Sequence, residues 1–86
     1  SRSLYDLTIK KILNLLKYWG KLKKKQAVLG DSLLKGTKCT NISTYQSLMQ
    51  RILKPCAREL VEPTEALVLL KYMVRPEAPI PVVLVQ

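Results

Sequence analysis

An 86-residue chain has room for one small domain, and a hydrophobic fraction of 48% is high enough for that domain to fold around a core. The formal net charge is +9, and residues 1–38 carry ten basic and two acidic side chains against five and four in residues 39–86. There is no histidine, and two cysteines are too few ligands for a four-coordinate zinc site. We therefore expect a non-enzymatic protein without a cofactor, whose basic N-terminal half attracts polyanions.

The first predicted element is a helix over about residues 3–21. Ser3 suits its N-cap and Asp6 suits its first turn. Apolar residues recur at helical spacing and form one face: Tyr5, Ile9, Ile12, Leu13, Leu16 and Trp19. Gly20 weakens the helix, and Lys23 would fall on the apolar face of a straight continuation. We expect the helix to stop or bend between these two residues.

Two further helices are predicted in the middle of the chain. A short one covers about residues 26–34, and a loop follows over residues 35–41. The next helix starts at Ser43, which has capping-box spacing with Gln46. Its predicted core face consists of Tyr45, Met49, Ile52 and Leu60. Pro55 removes a backbone hydrogen bond, so it should kink or split this helix near Lys54.

The fourth predicted helix begins at Pro63 and is apolar nearly all round, which indicates the most buried helix. Prolines exclude a helix after Arg75, and a β-prone apolar run follows them: Val82, Val83, Leu84 and Val85. The sequence therefore predicts a mainly α fold, a small bundle of three to four helices. The basic helical domain covers residues 1–75, and an extended or β C-terminal segment over residues 76–86 docks on the domain or on a partner.

The candidate binding residues are lysines of the N-terminal half. Four of them share the face opposite the apolar face of the first helix, and the fifth flanks it; they are Lys10, Lys17, Lys21, Lys24 and Lys25. Ammonium groups in such a row can track a phosphate backbone, and Tyr18 beside them can stack on bases. Trp19 fits the core better, because it falls on the apolar face. This pattern predicts binding to nucleic acid, RNA or DNA, or to another polyanion such as an acidic protein surface.

The lysine run at residues 21–25 also has a simpler interpretation as a solvated helix end, because lysine is favourable at a helix C-terminus. A different alternative is a protein-interaction module built on the tail. Residues 82–85 would add a strand to a partner or to a second copy, because the backbone groups of a strand must pair. The Ser at the start and the VVLVQ at the end also match a product cut at Gln-Ser junctions of a viral polyprotein, which suggests an accessory replication protein.

The first helix is of the basic amphipathic type that lies on membranes, but three further apolar helical segments favour a shared core. No apolar run approaches the roughly 20 residues of a membrane span, and no signal peptide is evident. We therefore expect a soluble, intracellular protein. Of the two cysteines, we expect Cys56 in the core and Cys39 in a loop rather than a disulfide between them.

Residues 3–12, SLYDLTIKKI, resemble the elongin-binding box of SOCS-box proteins. That box has Ser or Thr followed by Leu, a second Leu, a small residue and an aliphatic residue. The corresponding positions are Ser3, Leu4, Leu7, Thr8 and Ile12. Thr8 stands where the family usually has Cys or Ala. The resemblance implies a helix start that docks on an elongin-type partner.

Overall fold

A computed structural model describes residues 3–59 and 62–78. These residues form helices α1 (Leu4–Tyr18), α2 (Lys24–Gly36), α3 (Ile42–Leu53), a 3₁₀ helix (Lys54–Cys56) and α4 (Pro63–Val74). The prediction of a mainly α bundle of three to four helices is confirmed, and the described residues contain no strand. The strand predicted at residues 82–85 lies outside the described residues.

Local capping explains where the helices begin. The backbone N–H of Asp6 donates to Oγ of Ser3 at 3.2 Å, as predicted for the start of α1. The capping box predicted at Ser43 is wrong. Asn41 caps α3 instead, because its Oδ1 accepts from the backbone N–H of Thr44 at 2.9 Å and the helix therefore starts two residues earlier. Pro63 is the first residue of α4, as predicted.

Pro55 ends the regular part of α3. The α-helix stops at Leu53, and the chain tightens into a 3₁₀ turn that contains the proline. Since proline has no N–H to donate, the α-helical hydrogen-bond ladder cannot continue through it. The predicted split near Lys54 is confirmed.

The core forms where α1 and α3 pack against each other and where both pack against α2 and α4. Its buried side chains from these elements are Ile9, Ile12, Leu13, Leu15, Leu16, Tyr45, Leu48, Met49, Ile52, Val68, Leu69 and Tyr72. The core positions predicted on α3 are confirmed, except that Leu60 lies outside the described residues. Gly30 is the buried residue of α2, and a Cβ there would lie 2.9 Å from Cδ2 of Leu13. A side chain at this position would require the end of the Leu13 side chain to shift.

Two hydroxyl groups join segments that are distant in sequence. The phenol of Tyr45 on α3 donates to the carbonyl of Tyr72 on α4, and its ring lies 5.3 Å from the ring of Tyr5 on α1. The hydroxyl of Thr8 lies 2.9 Å from the carbonyl of Leu4 and 2.5 Å from that of Pro76. Pro76 is buried, so the residue two positions after the end of α4 packs against α1.

The prediction that α4 is the most buried helix is wrong. It buries Val68 and Tyr72, but Leu67, Leu70 and Val74 are 60%, 55% and 62% exposed. The two sets lie on opposite faces of the helix. To bury a helix that is apolar on every face, other elements must pack on all of its sides. The described part of the chain packs on one side of α4 only.

Candidate nucleic-acid interface

The chain reverses direction immediately after α1. Gly20 has a φ of 69°, a left-handed conformation that glycine adopts at no steric cost. Its N–H donates to the carbonyl of Lys17 at 3.1 Å, and the N–H of Lys21 donates to the carbonyl of Leu16 at 2.9 Å. These two bonds form a Schellman motif, which closes the C-terminus of α1. The helix ends at Tyr18, two residues before the predicted range of Gly20 to Lys23, and the turn follows directly.

The lysine run starts the next helix instead of ending the first. Lys23 is the N-cap of α2, Lys24 and Lys25 lie in its first turn, and that turn contains no acidic residue. The N-terminus is the positive end of the helix dipole, where a lysine lowers stability. The interpretation of this run as a favourable helix C-terminus is therefore wrong for these three lysines.

One side chain holds the start of α2 in place. Oε1 of Gln26 accepts from the backbone N–H of Lys23 at 3.2 Å, and its Nε2 donates to the carbonyl of Pro55 at 3.5 Å. Gln26 thus caps α2 and attaches its first turn to the 3₁₀ helix. These two hydrogen bonds constrain the backbone that carries the neighbouring lysines.

The short connection between α1 and α2 gathers five lysines, which we call the basic corner: Lys17, Lys21, Lys23, Lys24 and Lys25. Lys21 is half-buried and the other four are exposed. Lys23 is not among the predicted binding residues, because these were chosen by the helical period of α1, in which Lys23 does not fall on the lysine face. Because the chain turns at Gly20, Lys23 leaves the line of α1 and is exposed to solvent; Gly20 is the residue in the sequence that indicates this turn.

Lys10 does not belong to the basic corner. It lies seven residues before Lys17 on α1, about 10 Å along the helix axis. It lines a separate cavity of about 410 Å³, together with Asp6, Asp31, Lys35 and Lys38. The two aspartates offset part of the positive charge there, so the predicted lysine set is divided into four residues at the corner and one elsewhere.

The two aromatic residues at the end of α1 have different environments. Tyr18 is 55% exposed and lies next to Lys17, whereas Trp19 is half-buried and packs against the core. The core position expected for Trp19 is confirmed. Of these two residues, Tyr18 is the more exposed at the basic corner.

A second surface lies on α4. Its exposed apolar side chains border a groove of about 600 Å³ that continues to Ala78. The sequence prediction placed partner binding elsewhere, at Val82, Val83, Leu84 and Val85, which lie outside the described residues.

The two thiols are buried and unbridged. Burial raises the pKa of Cys39, and Asp6 nearby raises it further. Burial also raises the pKa of Cys56, with a smaller contribution from Glu59. Both side chains are therefore held as neutral thiols at neutral pH. The predicted positions are confirmed: Cys56 is in the core, and Cys39 lies in the loop between α2 and α3, where it is also buried.

Within residues 3–59 and 62–78, no cluster of three or more His, Cys, Asp or Glu side chains is arranged to bind a metal ion. Nor does this part of the chain contain a helix of the length and apolarity needed to cross a membrane. Comparison with known protein families, curated proteins and solved structures finds no match to this chain. The resemblance of residues 3–12 to the elongin-binding box therefore has no support from a family match.

Proposed function

We propose that this chain is a non-enzymatic binding module whose basic corner contacts nucleic acid or another polyanion. The observation that carries the proposal is the position of Lys24 and Lys25 in the first turn of α2, beside the N-cap Lys23. Three adjacent cations at the positive end of a helix oppose folding, so their placement has no explanation in stability. A bound polyanion supplies the missing negative charge.

The backbone of α2 adds to this attraction. The first N–H groups of a helix have no carbonyl partner within the helix, and they point outward beyond its N-terminal end. Phosphate groups accept from such N–H groups and are favoured by the same dipole that disfavours lysine. The corner therefore combines the N-terminal end of α2 with the exposed ammonium groups of Lys24 and Lys25.

Tyr18 gives the corner a surface for bases. Tyr18 is 55% exposed as a residue and follows Lys17 directly in the sequence. Stacking of a base on an aromatic side chain is tolerant of sequence and is typical of proteins that bind single strands. This combination favours a single-stranded nucleic acid among the polyanions.

The test is a titration of a fluorescent single-stranded RNA of about 20 nucleotides at several salt concentrations. Five phosphate contacts give a slope of log K against log salt of about −3.5 for a single strand. Replacing four lysines by alanine should reduce the slope by about 3 and leave the helical circular dichroism unchanged. The variant combines Lys17→Ala, Lys21→Ala, Lys24→Ala and Lys25→Ala.

A matched control removes the same number of charges from other exposed positions of the chain. It combines Lys35→Ala, Lys38→Ala, Lys54→Ala and Lys71→Ala. We expect the control to retain most of the affinity, because its lysines lie outside the basic corner. If both variants lose affinity equally, the attraction comes from net charge alone and the proposed site is wrong.

A second candidate function, a protein-interaction module, is favoured by the exposed apolar face of α4. Exposed apolar faces of this kind are typical of surfaces that bind other proteins.

A further inference from the structure

The exposed side chains of α4 follow the spacing of a coiled-coil seam. Leu67, Leu70 and Val74 are separated by three and four residues, which is the a–d–a alternation of a heptad repeat. They lie opposite the face that packs on the core, and each is more than half exposed. We call these three residues the α4 stripe.

The border of the stripe is basic. Lys71 and Arg75 line the same groove, one helical turn apart, and both are exposed. Among the described residues, no acidic side chain lines the groove. A ligand of this surface would therefore meet apolar side chains along the centre and positive charge along one edge.

We propose that the α4 stripe binds an amphipathic helix of a partner protein that carries apolar residues at heptad spacing and acidic residues beside them. A heptad stripe fits a second helix, whose knobs enter the holes between the three side chains. The stripe runs from Leu67 to Val74, about 10 Å along the helix axis, which is one heptad of contact. Acidic flanks complement Lys71 and Arg75 and add specificity.

A second copy of the chain is a poor occupant of this surface. Each copy carries a net charge of +9, and pairing two stripes would bring Lys71 and Arg75 of both copies together.

The tail of this chain is a poor occupant as well. Residues 79–86 contain no acidic residue to meet the two cations. Pro79 and Pro81 also prevent that segment from presenting a helical heptad pattern to the stripe.

The test uses a designed three-heptad peptide with Leu at a and d and Glu at e and g. The glutamates keep the peptide from pairing with itself. We expect the full chain to bind it with a micromolar Kd at about 0.15 M salt, measured by fluorescence anisotropy. A control peptide with Lys at e and g should bind at least about tenfold more weakly, because it repels the basic border.

Two matched double variants locate the contact. Leu67→Gln with Leu70→Gln should weaken binding of the Glu peptide at least about tenfold. Val28→Gln with Leu29→Gln removes apolar side chains of similar exposure from α2 and should leave binding unchanged. Circular dichroism checks that both variants remain folded, which the exposure of all four side chains favours.

Three results would overturn the proposal. The first is equal binding of both peptides, or equal loss in both double variants. The second is that the full chain binds the Glu peptide only after Val82→Gln and Leu84→Gln, which would mean that the tail covers the stripe. The third is a dimer in sedimentation that the Leu67→Gln and Leu70→Gln variant converts to a monomer, which would identify a second copy as the occupant.

Discussion

Replacing Lys24 by Glu should stabilise the protein and weaken its proposed binding at the same time. Lys24 is the first residue of α2, at the positive end of the helix dipole. A charge in that position contributes about 0.3–1 kcal/mol, unfavourable for lysine and favourable for glutamate. The reversal of charge should therefore raise the free energy of unfolding by about 1 kcal/mol at low salt. For a domain of this size, that corresponds to an increase in Tm of roughly 4–8 °C.

Lys17→Glu is the matched control. It makes the same charge change within the same basic corner, but Lys17 lies in the last turn of α1, where a cation is favourable. This variant should lower Tm by a few degrees, while both variants weaken RNA binding. The pair separates the effect of the helix ends from the effect of net charge, which is the same in both proteins.

The assay is thermal unfolding followed by circular dichroism, at about 20 mM and about 0.5 M salt, because salt screens charges at the surface. We expect opposite shifts of Tm at low salt that shrink at high salt. If both variants shift Tm in the same direction, relief of the general positive charge explains the data and our interpretation of α2 is refuted. If Lys24→Glu leaves RNA binding unchanged, the corner is not the binding site.

Three further predictions concern the fold. Ile52→Ala should lower the free energy of unfolding by about 2–4 kcal/mol in urea denaturation, because Ile52 is buried in the core and leaves a cavity. The free energy of unfolding should fall as the pH rises above about 10, because burial raises the pKa of Tyr45 and the folded state keeps a proton that the unfolded state loses. Urea denaturation at several pH values measures this pH dependence, and Tyr45→Phe should reduce it. Gly36→Ala should raise the free energy of unfolding and Gly20→Ala should lower it, each by about 1 kcal/mol, with Tm moving in the same direction. Both positions have open space for a side chain, but only Gly20 has a positive φ.

Each of these predictions has a result that would contradict it. A shift of only a degree or two in Ile52→Ala would place that side chain at the surface. An unchanged alkaline slope in Tyr45→Phe would mean that another group, such as a buried thiol, controls the transition. Equal effects of the two glycine substitutions would mean that backbone conformation does not decide their sign.

Helix starts and stops were predicted best where a single residue controls them. Ser3, Pro63 and Pro55 act through their own hydroxyl, fixed φ or missing N–H, and the structure confirms their roles. The start of α3 was predicted two residues too late, because Asn41 and Ser43 are both good N-caps. The choice between them depends on which turn packs, and local sequence does not contain that information.

The extent of α2 and the orientation of α4 depend on tertiary contacts. Gly30 lowers helix propensity, so sequence reasoning shortened α2, yet in the fold this glycine allows α2 to approach Leu13 closely. The apolar residues of α4 surround the whole helix, and only the packed structure distinguishes Val68 from Leu67. The basic corner was predicted in outline, and Lys23 was missed because its position depends on the reversal at Gly20.

The hydrogen bond from Thr8 to the carbonyl of Pro76 spans 68 positions of the sequence and bears on how the chain folds during its synthesis. At a synthesis rate of about 5–20 residues per second, roughly 3–14 s pass between the appearance of these two residues. For most of that interval α1 lacks its contact with α4, so the core that the two helices share is incomplete. The nascent chain therefore exposes α1 to chaperones or to premature association until α4 has been made.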